Sequence, residues 1–267
     1  MTYIVNIDAN ARTRLDQQHA LYEAHSLSLF KYIDRNMVND ALEAGCGSGV
    51  MTQHLSRLLN PSGRGLLSID IHRIQLEAAA ERIKECGVSN VRFKEHDIQK
   101  LAALGQTFDL IYCRMVLHHL KNASDAIDQM ISALRPGGYL ILEEPAIHDG
   151  SFCFPEHSGF NRFVKACQLC FEKNKRDYTI AYRMGLEVQQ KGMTTLHHSL
   201  HHPLLLTEEQ KRMYAMAVDD LAPQFIKHNI LSQQEIVDLR EACVAMSQDN
   251  ISITWIRMHS LVCQKIP

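Results

Sequence analysis

Five short apolar runs punctuate the first 145 residues: Val38–Ala44, Gly65–Asp70 (GLLSID), Val91–Glu95 (VRFKE), Phe108–Arg114 (FDLIYCR) and Tyr139–Glu143 (YLILE). Runs this short and this continuous predict strands buried on both faces. Between them the apolar positions recur at helical spacing. Ile71–Cys86 carries Ile71, Ile74, Ala78 and Ile83 among charged residues and meets a stop at Gly87. Ala123–Leu134 repeats the pattern with Ala126, Ile127, Met130, Ile131 and Leu134, and ends in Arg135-Pro136-Gly137-Gly138, which predicts a helix stop followed by a turn. Strands alternating with helices predict an α/β fold, a doubly wound, mostly parallel sheet with helices on both faces.

Outside this core the pattern changes. Residues 11–34 read as one or two amphipathic helices carrying Leu15, Tyr22, Leu29, Phe30 and Ile33. Residues 150–190 are helical and aromatic, with Phe152, Phe154, Phe160, Phe163, Phe171 and Tyr178. Two capping boxes, Thr207-x-x-Gln210 and Ser232-x-x-Glu235, each open a further helix. Met193–Leu200 and Ile251–Lys265 look extended, although the period-2 pattern of the second falters at Ile256. Without an internal repeat or a low-complexity linker, the chain reads as a single domain over 1–267: N-terminal helices (1–37), a core (38–145), a cap with one more strand (146–250) and a C-terminal strand (251–267).

Composition narrows the function classes. At 267 residues and 46% hydrophobic the chain has material for a large core, and 28 basic against 30 acidic residues leave a formal charge of −2. A nucleic-acid partner is disfavoured, since phosphate binding leaves a basic footprint. No apolar run approaches the roughly 18 residues of a membrane span. Asp8, Arg12, Arg14 and Asp16 precede any apolar stretch, so no secretory signal is read and a cytoplasmic location is expected. The cysteines at 46, 86, 113, 153, 167, 170, 243 and 263 are scattered through apolar runs, as reduced buried thiols are. No metal site is expected: His197, His198, His201 and His202 lie on an extended segment whose neighbours point to opposite faces, and Cys167-x-x-Cys170 has no second pair.

The candidate chemistry lies at the end of the first strand, in Glu43-Ala44-Gly45-Cys46-Gly47-Ser48-Gly49-Val50. Alternate glycines let the backbone turn sharply and let a ligand approach it closely, and the helix that follows aims its N-terminal amides at that ligand. The loop departs from the dinucleotide fingerprint, because Val50 stands where a small residue is needed, and from the Walker A sequence, because no Gly-Lys-Ser/Thr follows. The second strand ends at Asp70, where a carboxylate accepts hydrogen bonds from a ribose diol. Beyond the third strand Asp97 is suited to accept from an exocyclic amine and Ile98 to pack on a purine face.

These residues resemble a class I S-adenosylmethionine-dependent methyltransferase of the small-molecule branch. The resemblance rests on LEAGCGSG at Leu42–Gly49, SID at Ser68–Asp70, EHDI at Glu95–Ile98, FDLIYCRMVLHHL at Phe108–Leu120 and LRPGGYLILEEP at Leu134–Pro145. It implies a Rossmann-like, mostly parallel seven-stranded sheet with an antiparallel C-terminal strand and inserted cap helices. S-adenosylmethionine would be the cofactor. Gly45, Gly47 and Gly49 would line its methionine and ribose part, Glu43 would face its amino group, Asp70 would hold the ribose with Ile71 against the adenine, Asp97 and Ile98 would meet the adenine, and Arg114 would run beside the methionine moiety. An oxygen or nitrogen acceptor must lose a proton, and His118 or His119, paired with Glu144, is the expected base. The aromatic segment implies an organic acceptor with an apolar body. Methylation of RNA or protein, and cofactor binding without catalysis, are the alternatives; the latter would go with a cap that leaves no room for an acceptor. The oligomeric state stays open, a homodimer included.

Overall fold

The computed structural model describes residues 9–58, 65–147 and 151–266. In chain order the elements are α1 (Ala9–Ser28), β1 (Asp40–Ala44), α2 (Val50–Leu58), β2 (Gly65–Asp70), α3 (Arg73–Glu85), β3 (Val91–Glu95), β4 (Phe108–Arg114), α4 (Ala123–Ala133), β5 (Leu134–Pro145), β6 (Cys153–Phe154), α5 (Ser158–Asn174), α6 (Ile180–Gln190), β7 (Met193–His201), α7 (Glu208–Lys211), α8 (Met213–Lys227), α9 (Gln233–Gln248), β8 (Ser252–Ile253) and β9 (Met258–Lys265). Seven strands form one sheet in the order β3-β2-β1-β4-β5-β9-β7. Only β9 runs against its neighbours, antiparallel to both β5 and β7. The order reverses direction between β1 and β4, the switch point at which an open α/β sheet leaves a crevice beyond its strand ends.

The continuous apolar runs are explained by double cover. Ile111 and Cys113 of β4 pack under α4 and α6, with Ile127, Met130 and Met184. Leu110 and Tyr112 of the same strand face the opposite way, toward Phe30 and the α2 residues Met51 and Leu55. A third apolar cluster joins α5, α8 and α9 to Tyr22 of α1, to Trp255 and, at the edge of the sheet's strand ends, to Met258 of β9. This is the cap, and both capping boxes form at its helix starts, at Thr207 and Ser232.

Several elements differ from the pattern's expectation. β1 begins at Asp40, not Val38, because on the β4 side the amides of Asn39 and Asp40 donate to the Asp109 carboxylate, both at 2.9 Å. Arg135-Pro136-Gly137-Gly138 is no free turn. The chain leaves α4 directly into β5 with a bulge opposite Asp109, while Arg135 bridges Asp40 and Asp109 at 2.6 Å each. In α3 the inward stripe is Gln75, Leu76, Ala79 and Ile83, and Ile74 is 48% exposed. The helix starts only at Arg73, so Ile71 lies outside it and does not set its phase. Residues 251–265 form two strands, not one. β8 pairs with β6 in a separate small sheet, and the break before β9 contains Ile256, where the alternation falters. Of the six aromatic residues expected to enclose the acceptor, Phe152 and Phe154 are surface-exposed and Phe160 packs on Tyr214.

Candidate active site

Two adjoining cavities open beyond the carboxyl ends of β1, β2, β4 and β5. The first, of about 150 Å³, is lined by Glu43, Gly45, Gly47, Asp70, Ile71, Asp97, Ile98 and Arg114 among others. The second, of about 210 Å³, is bounded by His118 and by cap residues including Phe163, Phe171, Tyr178 and Trp255. Leu15, Gln18, Met115 and His119 belong to the walls of both, so the two spaces meet.

The glycine loop shapes the first cavity. Gly45 sits at φ +82°, and a Cβ there would come within 2.3 Å of a Val116 methyl. Gly49 does a different job from the one expected of it. It lies behind the loop, where a Cβ would press on the Ala79 backbone at 2.8 Å, and so lets α3 close against the loop instead of lining the cavity. Asp70 ties the loop to its own strand end. One oxygen accepts from the Gly47 amide (3.0 Å) and the other from the His72 amide (2.9 Å). The Ile71 amide also contributes, and a carboxylate's remaining lone-pair capacity is what a ligand could use. Burial raises the Asp70 carboxyl above its ordinary value, opposed by those amides. Asp97 accepts from the Gln99 amide at 2.9 Å and caps the turn that carries Ile98.

Deeper in, Glu43 is buried, and one of its oxygens accepts from Thr52 (2.6 Å) and Ser68 (2.8 Å). Burial pushes its carboxyl up to about 7. Arg114 donates to Nδ1 of His19 (2.9 Å) and to the Ser26 hydroxyl (3.4 Å), both neutral partners. Burial, reinforced by the Arg114 charge, drives the His19 imidazole down to about 3 and keeps it an acceptor. His19, Glu23 and His54 bring three ligand-type atoms within 4.8 Å of one another. The Arg114 bond to Nδ1 leaves the His19 proton on Nε2, the atom a metal would need, and places a cation beside it.

A buried histidine–glutamate pair stands at the wall of the second cavity. Glu144, fully buried, accepts from the amides of Val116 (2.9 Å), Leu117 (2.8 Å) and His118 (3.3 Å), and lies 2.6 Å from Nδ1 of His118. A carboxylate surrounded by N–H donors accepts from the ring as well, which assigns the proton to Nδ1 and leaves the Nε2 lone pair of His118 free to act as a base. The His119 ring lies against His118, tilted by 45° with centroids 3.9 Å apart, and burial pushes its imidazole well below the ordinary range. Of the two histidines, His118 is the one hydrogen-bonded to Glu144. Cys46, in the loop, is buried and its thiol is pushed well up by desolvation, so it packs as an unreactive thiol.

The sequence pattern had not marked the roof of either cavity. Arg14, Leu15, Gln18, His19 and Tyr22 come from a single face of α1. Leu15 and Tyr22 are two turns apart, and the polar Gln18 and His19 between them fall on the same side. A polar pair inside an apolar stripe is the signal that marks that face. Met115 is held in the left-handed region (φ 56°) at the end of β4, and its sulfur accepts from Gln18 Nε2 at 2.9 Å, at the seam between the two cavities.

The family model described as "Methyltransferase domain" matches residues 37–216. An uncharacterized protein of Synechococcus sp. is 40% identical over 150 residues, which is 55% of this chain and 33% of that protein. A ubiquinone/menaquinone biosynthesis C-methyltransferase of Azotobacter vinelandii is 36% identical over 107 residues, 40% of this chain and 42% of that one. The match thus spans between a third and about two fifths of the length of these two curated relatives. Among solved structures, the YcgJ protein of Bacillus subtilis aligns over 91% of this chain and 99% of its own at a TM-score of 0.61 and 19% identity. Phosphoethanolamine N-methyltransferase 2 of Haemonchus contortus aligns over 94% of this chain and 56% of its own at 0.55 and 13%. The two structural likenesses concern the fold, which is the seven-stranded architecture above, and with the family model covering well over half its length the chain belongs to the methyltransferase-domain family.

Proposed function

We propose that the protein transfers a methyl group from S-adenosylmethionine to a small organic acceptor, with the cofactor in the first cavity and the acceptor in the second. The observation that carries this reading is the His118–Glu144 pair at 2.6 Å, facing a space that adjoins the Asp70–glycine-loop cleft. The residues of the first cavity suit this cofactor. The Asp70 carboxylate has lone pairs to spare for the ribose hydroxyls, Asp97 and Ile98 offer an acceptor and an apolar face to the adenine, and Ile71 adds to that face. Gly45 and Gly47 leave room for the backbone to approach. Arg114, which donates to His19 and Ser26, suits the carboxylate end of the methionine moiety, and Glu43 suits its amino group. When bound, S-adenosylmethionine supplies an electrophilic methyl group on sulfur.

The chain's own residues supply alignment and a base. Met115 and His119, at the seam, fix the line along which the two ligands meet, and holding reacting atoms about 3–3.5 Å apart provides most of the proximity advantage. His118 Nε2 takes the proton of the acceptor, and Glu144 stabilises the imidazolium that results. The roof of α1 and the cap exclude water from both spaces. A cavity of about 210 Å³ beside the cofactor cleft favours this reading over cofactor binding without catalysis. The sequence likeness to quinone-pathway C-methyltransferases covers about two fifths of the chain.

The test is calorimetry with S-adenosylmethionine and S-adenosylhomocysteine, followed by His118→Gln. Micromolar cofactor binding is expected, with turnover lost in the variant and cofactor affinity retained. Failure of both ligands to bind the wild-type chain refutes the reading.

A further inference from the structure

The second cavity holds a charge pair that the transfer chemistry does not use. Arg14 of α1 and Asp220 of α8 both line it, both are about 93% buried at the side chain, and Arg14 Nε donates to Asp220 Oδ2. Arg14 Nη1 also donates to Gln18 Oε1 at 3.1 Å, and the same oxygen accepts from Trp255 Nε1 at 3.2 Å. Cation and anion thus neutralise each other within the wall. The rest of that wall is mostly aromatic and aliphatic, with Phe163, Phe171, Tyr178, Leu221 and Trp255 beside the polar Gln18 and Ser151, and the His118 ring also lines it.

This arrangement selects by charge. A carboxylate or phosphate on the acceptor would meet a guanidinium whose charge Asp220 already neutralises, and would lie beside the Asp220 charge itself. An ammonium would likewise meet Asp220 with its charge matched by Arg14 and would lie beside that cation. Breaking a buried pair from either side is strongly unfavourable, whereas an uncharged body leaves it intact. The aromatic walls favour a planar ring. The free lone pair of His118 favours a hydroxyl that has a proton to give, over an amine that arrives already protonated and charged. Resting on the reading of the previous subsection, we infer that the acceptor is an uncharged aromatic alcohol, a phenol, and that the Asp220–Arg14 pair is the specificity element that rejects acceptors with a fixed anionic group.

Trp255 is the only tryptophan of the chain and forms part of this wall, so its emission reports occupancy directly. The full chain is titrated with 4-propylphenol and with 3-(4-hydroxyphenyl)propanoate, which differ chiefly in the terminal carboxylate, each with and without S-adenosylhomocysteine. Wild type is expected to bind the neutral phenol at least about ten-fold more tightly. Asp220→Asn frees the Arg14 charge and is expected to shift that ratio toward the carboxylate by about ten-fold or more. The double variant Arg14→Met/Asp220→Leu removes both charges, keeps the space filled and returns the preference to the neutral phenol. It also guards against misreading a variant that is merely unstable, with melting temperature and S-adenosylhomocysteine affinity as controls. The inference is overturned if wild type binds the carboxylate as tightly as the neutral phenol, if Asp220→Asn in folded form leaves the ratio unchanged, or if the neutral phenol fails to perturb Trp255 at millimolar concentration. Any of these with cofactor binding intact overturns the acceptor class alone. Loss of cofactor binding in wild type overturns the methyl-transfer reading.

Discussion

Replacing Glu144 by glutamine probes the proposed base without touching the ring that carries it. Glu144 accepts four N–H groups: three backbone amides at 2.8–3.3 Å and Nδ1 of His118 at 2.6 Å. A glutamine keeps the amides of Val116 and Leu117 satisfied if its oxygen stays where Oε1 is. Its NH2 group then faces the His118 amide and ring. Two donors cannot share that contact, so the ring moves its proton to Nε2 and presents a donor to the acceptor where a lone pair was needed. General-base catalysis is worth about 10²–10⁴ in rate. Glu144→Gln is therefore expected to lower single-turnover methyl transfer by that factor, equivalent to roughly 3–5 kcal/mol in the barrier. The fold also loses a charge-assisted bond and gains a mismatched pair, at a cost of about 1–3 kcal/mol seen as a fall in melting temperature of several degrees. Because His118 lines the second cavity and not the first, and Glu144 is buried behind it, S-adenosylhomocysteine affinity should stay within about two-fold. The discriminating assay varies the acceptor. Phenols that ionise below the assay pH need no base and should lose least, so the defect grows with acceptor pKa. A defect of equal size for ionised and neutral acceptors would falsify the assignment, as would a parallel loss of cofactor affinity.

Three further outcomes follow from the first cavity. Asp70→Asn should raise the S-adenosylhomocysteine Kd about ten-fold by calorimetry, while a Kd equal to wild type removes Asp70 as the ribose ligand. Burial lifts the Glu43 carboxyl from 4.5 to about 7, so the folded chain holds a proton there that the unfolded chain has released. Stability from this group is full below the unfolded value and is lost as pH rises through the folded one, a span worth about 3 kcal/mol. Glu43→Gln should remove that slope, and melting curves that stay parallel to wild type across the window contradict it; Asp70, raised in the same direction, is common to both proteins. Gly45→Ala puts a methyl 2.3 Å from Val116 at a positive φ and should cost more than about 1 kcal/mol in denaturant unfolding, against little effect at the exposed turn of Gly87 if mutated to Asn.

The sheet was legible because its strands are covered on both faces: runs such as Leu110–Cys113 have no polar face to show, and the helices between them carry periodic stripes. The lining of the first cavity was legible for a related reason, since Gly45, Gly47, Asp70 and Asp97 follow the ends of β1, β2 and β3, which are neighbours in the sheet. What the pattern missed were boundaries set by side chains instead of periodicity, as where Asp109 takes the amides of Asn39 and Asp40, or where Ile71 falls outside α3.

The acceptor side was hidden for a deeper reason. Its wall is assembled from positions as far apart in sequence as Arg14, His118, Phe171, Asp220 and Trp255, no two of which belong to a common motif. Aromatic residues between 150 and 190 pointed at the right segment, yet only Phe163, Phe171 and Tyr178 face the cavity, because burial in the cap and lining of the cavity both call for the same residue types. Charge is different. A guanidinium and a carboxylate both about 93% buried are costly unless paired, and the pair is visible only once α1 has been laid across α8. The lining of the first cavity can therefore be read from local sequence, whereas the proposed acceptor selectivity would rest on a long-range contact. Substitutions along α1 should accordingly change acceptor preference through Arg14 and cofactor affinity through His19, although the two residues lie little more than one turn apart.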